Sequence, residues 1–203
     1  MLSRSEFITG LAGVVLAEAS ASLTFQTHGA FFSKETHTSP ALDPQVFVAD
    51  ATAVAGVGPQ SIEHLAGLRP LRLDEENVAL YTADAVGLGF TSSKWLAAEG
   101  TAKLAQREIS LHFSRLIVFG VYSLFKNTFS SSGVTFAPLD GEGTRNSFKA
   151  DAAGSASLTV TTPESLTNRN AILLVYHSDG TDHGAQRGKI GFTAHHHLIA
   201  PLS

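Results

Sequence analysis

Apolar and polar residues alternate with a period of two over several short stretches, and that rhythm predicts strands. Ile109, Leu111 and Phe113 alternate with Ser110, His112 and Ser114, the pattern of a half-buried strand with one wet face. Residues 155–161 (SASLTVT) alternate in the same way, after the turn residues Asp151 and Gly154. Residues 171–177 (AILLVYH) are apolar on both faces and read as a central strand. Shorter runs at 46–49, 78–82, 118–125 and 134–136 suit further strands, and 189–200 the last. Residues 92–99 (SSKWLAAE), stopped by Gly100, are the best short-helix candidate. Residues 59–67 (PQSIEHLAG) offer one or two helical turns with Ser61 as N-cap and Gly67 after the end. There is no long amphipathic helix and no internal repeat. Short strands split by Gly, Pro, Asn and Asp predict a mainly β fold: an antiparallel β-sandwich or barrel-like domain with one or two short helices.

The first 21 residues have a different texture. Arg4 supplies a short cationic start, residues 7–17 are an apolar run, and Ala19-Ser20-Ala21 is a small-x-small cleavage site. That is the layout of a secretory signal peptide. The run is shorter than the about 20 apolar residues that cross a bilayer. Residues 22–44 are rich in Thr, Ser and Gly, carry Pro40 and Pro44, and read as a flexible arm. Phe25, Phe31 and Phe32 are the residues of that arm suited to docking. Residues 45–203 then form a single β domain. The expectation is an exported protein, periplasmic or extracellular, with no transmembrane segment in the mature chain.

Composition removes several function classes. The net charge is −4, without a basic block, which argues against nucleic acid as a partner. Cysteine is absent, so disulfides, thiolate metal sites and a cysteine nucleophile are excluded. There is no P-loop, no G-x-S-x-G elbow and no H-E-x-x-H pair. Ser178 lies between His177 and Asp179, but adjacent residues of an extended chain point apart, so no triad is read there. No catalytic residue is assigned.

Histidine carries the remaining chemistry. Of nine in the chain, five lie between His177 and His197. On the last strand, parity puts His195 and His197 on one face and turns His196 toward the core. Two residues along a strand span about 7 Å, so both imidazoles can reach one ion. His112, on the wet face of its own strand, is a candidate third ligand. This is the first candidate metal site. The second is the loop with His177, Asp179, Asp182 and His183, where two imidazoles and two carboxylates fall within seven residues. Its Asp-Gly pair equally marks a hairpin turn. If the last two strands form a hairpin with His177 opposite Lys189, the two groups lie roughly 20 Å apart and cannot share an ion. Imidazole and carboxylate ligands favour copper or zinc.

Two resemblances bear on these readings. Ser3-Arg4-Ser5-Glu6-Phe7-Ile8 resembles the twin-arginine export signal S-R-R-x-F-L, with Ser5 replacing the second arginine. It implies export of a folded chain; the general secretory route is equally open. The stretches YSLF (122–125), PLDGEGTRNSF (138–148), LLVYHSDG (173–180) and TAHHHLIA (193–200) are similar to uncharacterised exported bacterial β-domain proteins. That likeness implies a compact secreted β domain and carries no activity, cofactor or site residue. The leading expectation is a non-catalytic exported β-sandwich that binds copper or zinc through its C-terminal histidines. The alternatives are a structural or adhesive cell-envelope module, meeting an envelope protein or itself, and a metal-dependent enzyme using the 177–183 loop.

Overall fold

A computed structural model describes residues 21–202. The expected signal peptide, residues 1–21, falls outside these residues except for Ala21. The chain opens with β1 (Ala21–Thr24) and β2 (Gln26–Thr27), then α1 (His28–Glu35), capped by the Thr27 side chain. β3 (Leu42–Ala49), the small pair β4 (Gly56–Val57) and β5 (Glu63–His64), β6 (Leu68–Arg72), β7 (Ala79–Tyr81) and β8 (Gly87–Thr91) follow. α2 (Ser92–Leu96) leads into β9 (Glu99–Ala105), β10 (Glu108–Ser114), β11 (Val121–Ser130) and β12 (Gly133–Pro138). β13 (Ser147–Lys149), β14 (Ala156–Thr161), β15 (Asn170–His177) and β16 (Ala194–Pro201) complete the chain.

Apart from the two-stranded β4-β5 pair, the strands form three antiparallel sheets. One has the order β1-β9-β10-β14 and another β6-β3-β7-β8. The largest runs β12-β11-β15-β16-β2, with β13 also paired to β11. The main core lies between the first and the largest. Ile109, Leu111 and Phe113 of β10 and Val160 of β14 meet Tyr122 and Leu124 of β11, Ile172 and Leu174 of β15, and Leu198 of β16. Each such fully buried side chain contributes about 1.5–3 kcal/mol. Val46, Val48, Leu71, Leu80 and Trp95 join the same cluster, so residues 45–100 complete this core. The opposite face of the largest sheet buries Leu173, Val175 and Ile199 beneath Phe31, Phe129 and Ile190. β15 is therefore covered on both faces, which is why its sequence is apolar without alternation. The mainly β, sandwich-like fold with two short helices agrees with the sequence pattern.

Three local expectations differ from the structure. Residues 22–44 are built into the domain: β1 pairs with β9, β2 pairs with β16, and α1 packs beside β3. Its Phe25 is buried against Phe113 at 5.1 Å, so burial offsets the weak local pattern. Residues 59–67 hold one 3₁₀ turn at Pro59–Ser61; Gln60 and Ser61 take φ of 59° and 58°, which no α-helix accepts. The last strand begins at Ala194, because 189–193 close a turn in which Phe192 and Thr193 N–H both donate to Lys189 O. Gly191 sits there at φ 82°.

Candidate metal centre

His177 is the last residue of β15, opposite Val121 of β11 and Ala194 of β16. That central place buries its ring, which is 1 % exposed. Its Nε2 bonds Ser123 Oγ, two residues along β11. Its Nδ1 has no partner. The chain then turns sharply. Ser178 N–H donates to Thr193 O at 2.9 Å, Gly180 N–H to His177 O at 3.2 Å, and Thr181 N–H to Asp179 Oδ1 at 3.1 Å. Gly180 holds φ 70°, a conformation that glycine adopts without steric cost.

This turn brings His183 back over His177. Its Nε2 lies 3.0 Å from Asp179 Oδ2, and the two imidazole centroids are 5.1 Å apart. One ligand atom from each of His177, Asp179 and His183 lies within 4.8 Å of the others. Ligands at about 2.0–2.1 Å from a tetrahedral zinc stand roughly 3.4 Å apart, so only side-chain adjustment separates this group from a coordination shell. Ser123 Oγ can accept a hydrogen bond from His177 Nε2–H, which leaves Nδ1 bare to ligate. A ligand imidazole is commonly oriented through its other nitrogen in this way. Burial, reinforced by His183, holds the His177 pKa down at about 4 against the opposing pull of Asp179 and Asp182. It is thus neutral at pH 7, the form that binds metal.

Asp182, the fourth residue proposed for this loop, turns aside. Its Oδ1 accepts from Ser147 Oγ at 2.8 Å and from Gly184 N–H at 2.7 Å, tying the loop to β13. Asn146 Nδ2 adds a bond to Gly184 O at 3.2 Å. Beside the group lies a cleft of about 200 Å³ lined by Thr82, Asp84, Ser178, Asp179, Phe192 and Thr193, among others, so Asp179 belongs to both.

The other candidate group is arranged differently. His195 and His197 do share a side of β16, but the expected wet face is wrong: both are 0 % exposed. The sheet face they occupy is covered by α2 and β3 rather than by solvent. Leu174 faces Leu198 while Val175 faces His196, so His197 is the extra residue of a β-bulge. His197 stacks on Trp95 at 3.6 Å and its Nε2–H donates to Trp95 O at 2.7 Å. His195 Nδ1–H donates to Gln45 O at 2.9 Å. Burial lowers their pKa values to about 3 for His197 and about 4 for His195. His112 lies exposed on β10, bonded to Ser157 Oγ at 2.9 Å, and is not brought to either of them.

The assumed register also changes. His177 faces Ala194 rather than Lys189, so His195 lies one pair away, opposite Tyr176, and the 20 Å separation does not hold. His195 Nε2 reaches Ser178 Oγ at 3.2 Å. Because Gln45 O can only accept, that Nε2 is unprotonated. Ser178 Oγ is also 3.0 Å from Phe192 O, and its backbone N–H is committed to Thr193. Among the described residues no carboxylate hydrogen-bonds His195, and the Ser178 hydroxyl and N–H are both already engaged, so the contact acts as a tether. Sequence reasoning missed Ser123, Gln45 and Trp95 as partners of these histidines, and Ser147 as the partner of Asp182. The one local signal is a serine inside the apolar run VYSLF. The chain matches no protein-family model, no curated protein and no solved structure.

Proposed function

We propose that this chain is an exported β-sandwich protein that binds one divalent transition-metal ion through His177, Asp179 and His183. The observation that carries the reading is the convergence of these three groups around a buried imidazole whose Nδ1 has no partner. Two imidazoles and a carboxylate suit zinc or copper, and three protein ligands leave a fourth position for water or a bound molecule. Export rests on the three-part layout of residues 1–21. A second reading, metal-dependent hydrolysis, is favoured by the cleft that shares Asp179. Asp84 lines that cleft and is a carboxylate able to take a proton from a metal-bound water.

Calorimetric titration of untagged, chelator-treated protein with Zn²⁺ and Cu²⁺ tests the binding. One equivalent is expected, lost in an Asp179→Asn/His183→Ala double variant and kept in His112→Ala. Uptake below about a tenth of an equivalent would sink the metal reading. Amino-terminal sequencing of the protein from cell-envelope and medium fractions tests export. A mature chain starting near Ser22 is expected, and a chain retained whole in the cytosol overturns it.

A further inference from the structure

The outermost strand of a sheet carries backbone N–H and C=O groups that no neighbouring strand satisfies on one side. β12 is such an edge of the largest sheet. Strand parity says which of its groups face outward. On β11, Phe129 N–H donates to Arg169 O on the β15 side at 2.8 Å. Leu124 N–H donates instead to Asn146 O, and Leu124 O accepts from Leu139 N–H, both on the β12 side. Even-numbered residues of β11 therefore bond toward β12, and their partners there are Gly133, Thr135 and Ala137. Val134 and Phe136 turn their N–H and C=O away from β11. Among the described residues no strand pairs with that side of β12.

This edge is open and unguarded. Gly133, Val134, Thr135 and Phe136 are all exposed, Val134 by 43 % and Phe136 by 36 %. Natural edges are commonly protected by charges, by proline or by a bulge. β6, an edge of another sheet, carries Arg69 and Arg72 in ion pairs with Asp50, Glu75 and Asp74. β14 exposes only Ser157, Thr159 and Thr161. β12 has no charged residue, pairs with β11 without a bulge, and holds its proline at the last position.

We propose that β12 pairs antiparallel with β12 of a second copy of this chain, joining two of the largest sheets across a two-fold axis at Thr135. The strand is complementary to itself in that register. Val134 then faces Phe136 of the second copy. Both residues point their backbone groups outward, so they form a hydrogen-bonded pair, and the two-fold repeats it at the other end. Each pair sets a β-branched side chain against an aromatic ring, a favourable cross-strand combination. On the axis Thr135 meets itself without charge, where an acidic or basic residue would repel its own copy. Self-complementarity selects a second copy over an unrelated extended peptide, which would need none of it. Six residues extend about 20 Å, and so short an edge stays below the roughly 1,200 Å² of a standard interface, so the dimer is a weak one.

Sedimentation equilibrium on the full chain, with chelator present to exclude metal-bridged association, tests this from about 5 to about 500 µM, a range suited to small interfaces. A reversible monomer–dimer equilibrium is expected. Thr135→Asp and Thr135→Lys change an exposed residue, so each should keep a native circular dichroism spectrum and dimerise at least tenfold more weakly. Their equimolar mixture should dimerise again, because only a two-fold contact sets position 135 against itself. The chain has no cysteine, so crosslinking can read the register. Two copies of residue 135 form a non-hydrogen-bonded pair with α-carbons about 4.5 Å apart, within disulfide reach. Two copies of residue 134 are offset by two residues, beyond the about 7 Å limit for a bridge. Under oxidation Thr135→Cys should therefore link at least tenfold faster than Val134→Cys. A wild type that stays monomeric throughout leaves the edge to a different partner and overturns the proposal. So does a Thr135→Asp protein that dimerises like wild type, a mixture that stays monomeric, or equal crosslinking at 134 and 135.

Discussion

The rings of Trp95 and His197 lie face to face, 3.6 Å apart at 8°, deep in the core. This contact gives His197 two separable contributions, stacking and the N–H···O bond to Trp95 O. His197→Phe keeps an aromatic ring but leaves that carbonyl unpaired, so a loss of about 1–3 kcal/mol is expected. His197→Ala also opens a cavity, and about 3–5 kcal/mol is expected by analogy with large-to-Ala core changes. Urea denaturation should rank wild type above Phe above Ala. Zinc affinity should stay unchanged in the Phe variant, since His197 is not among the proposed ligands. Gly154 makes a sharper case. It sits at φ 71°, and an added Cβ would stand 2.4 Å from Leu116 O, a backbone atom that cannot swing away. Gly154→Ala should cost at least about 2 kcal/mol in the same assay, because strain and overlap act together.

Between β15 and β16, the loop carrying the candidate metal ligands is held from outside. The neighbouring turn is organised by Asp140, which accepts N–H groups from Glu142, Gly143, Thr144 and Arg145. Gly143 lets that turn close on Ala185, where a Cβ would meet backbone at 2.4 Å. Asn146 and Ser147 then grip Gly184 and Asp182. Asp182 thus acts as a tether rather than as a ligand. Ser147→Ala and Asp182→Ala should weaken zinc binding to a similar degree, about tenfold or more, as removal of a group supporting a ligand does. Unfolding midpoints should barely move, because the tether is exposed. If Asp182→Ala abolishes binding and Ser147→Ala leaves it intact, Asp182 is a ligand after all.

Five buried histidines make the whole molecule sensitive to acid. Burial, aided by neighbouring positive charge, lowers His28 to about 3 and His177 to about 4. It likewise lowers His195 to about 4, His197 to about 3, and His196 well below 6.5. Their unfolded value is 6.5, so in the intervening window the unfolded chain binds more protons than the folded one. Their stabilising contribution is complete above pH 6.5 and is lost as pH falls toward 3–4. One histidine shifted to about 4 costs about 3 kcal/mol by pH 4, against a typical total stability of about 5–15 kcal/mol. Asp43 acts in the opposite sense. Burial raises it to about 6 despite its bond from Trp95 Nε1 at 2.9 Å, so its contribution is lost as pH rises through 6. One carboxyl does not offset five imidazoles. Melting temperatures followed by circular dichroism should fall steeply between pH 6.5 and pH 4; a flat profile would show the rings to be accessible to water.

Strand alternation at Ile109, Leu111 and Phe113, the double-sided apolar run of β15 and the short helix around Trp95 were legible from the chain alone, because each depends on neighbours a few residues away. The same holds for the His177–His183 turn, where Asp179 and His183 lie four residues apart and an Asp-Gly pair reverses the chain. The fate of His195, His196 and His197 was not legible. A period of two tells which side chains share a face, but not what lies over that face. Gln45 and Trp95, more than ninety residues away, supply the hydrogen-bond partners that let two imidazoles be buried. The turn at 189–193 moved the start of β16 and with it the pairing of every histidine on it. Local periodicity determined the elements, and only packing between distant segments decided which histidines converge with a carboxylate and which became part of the core.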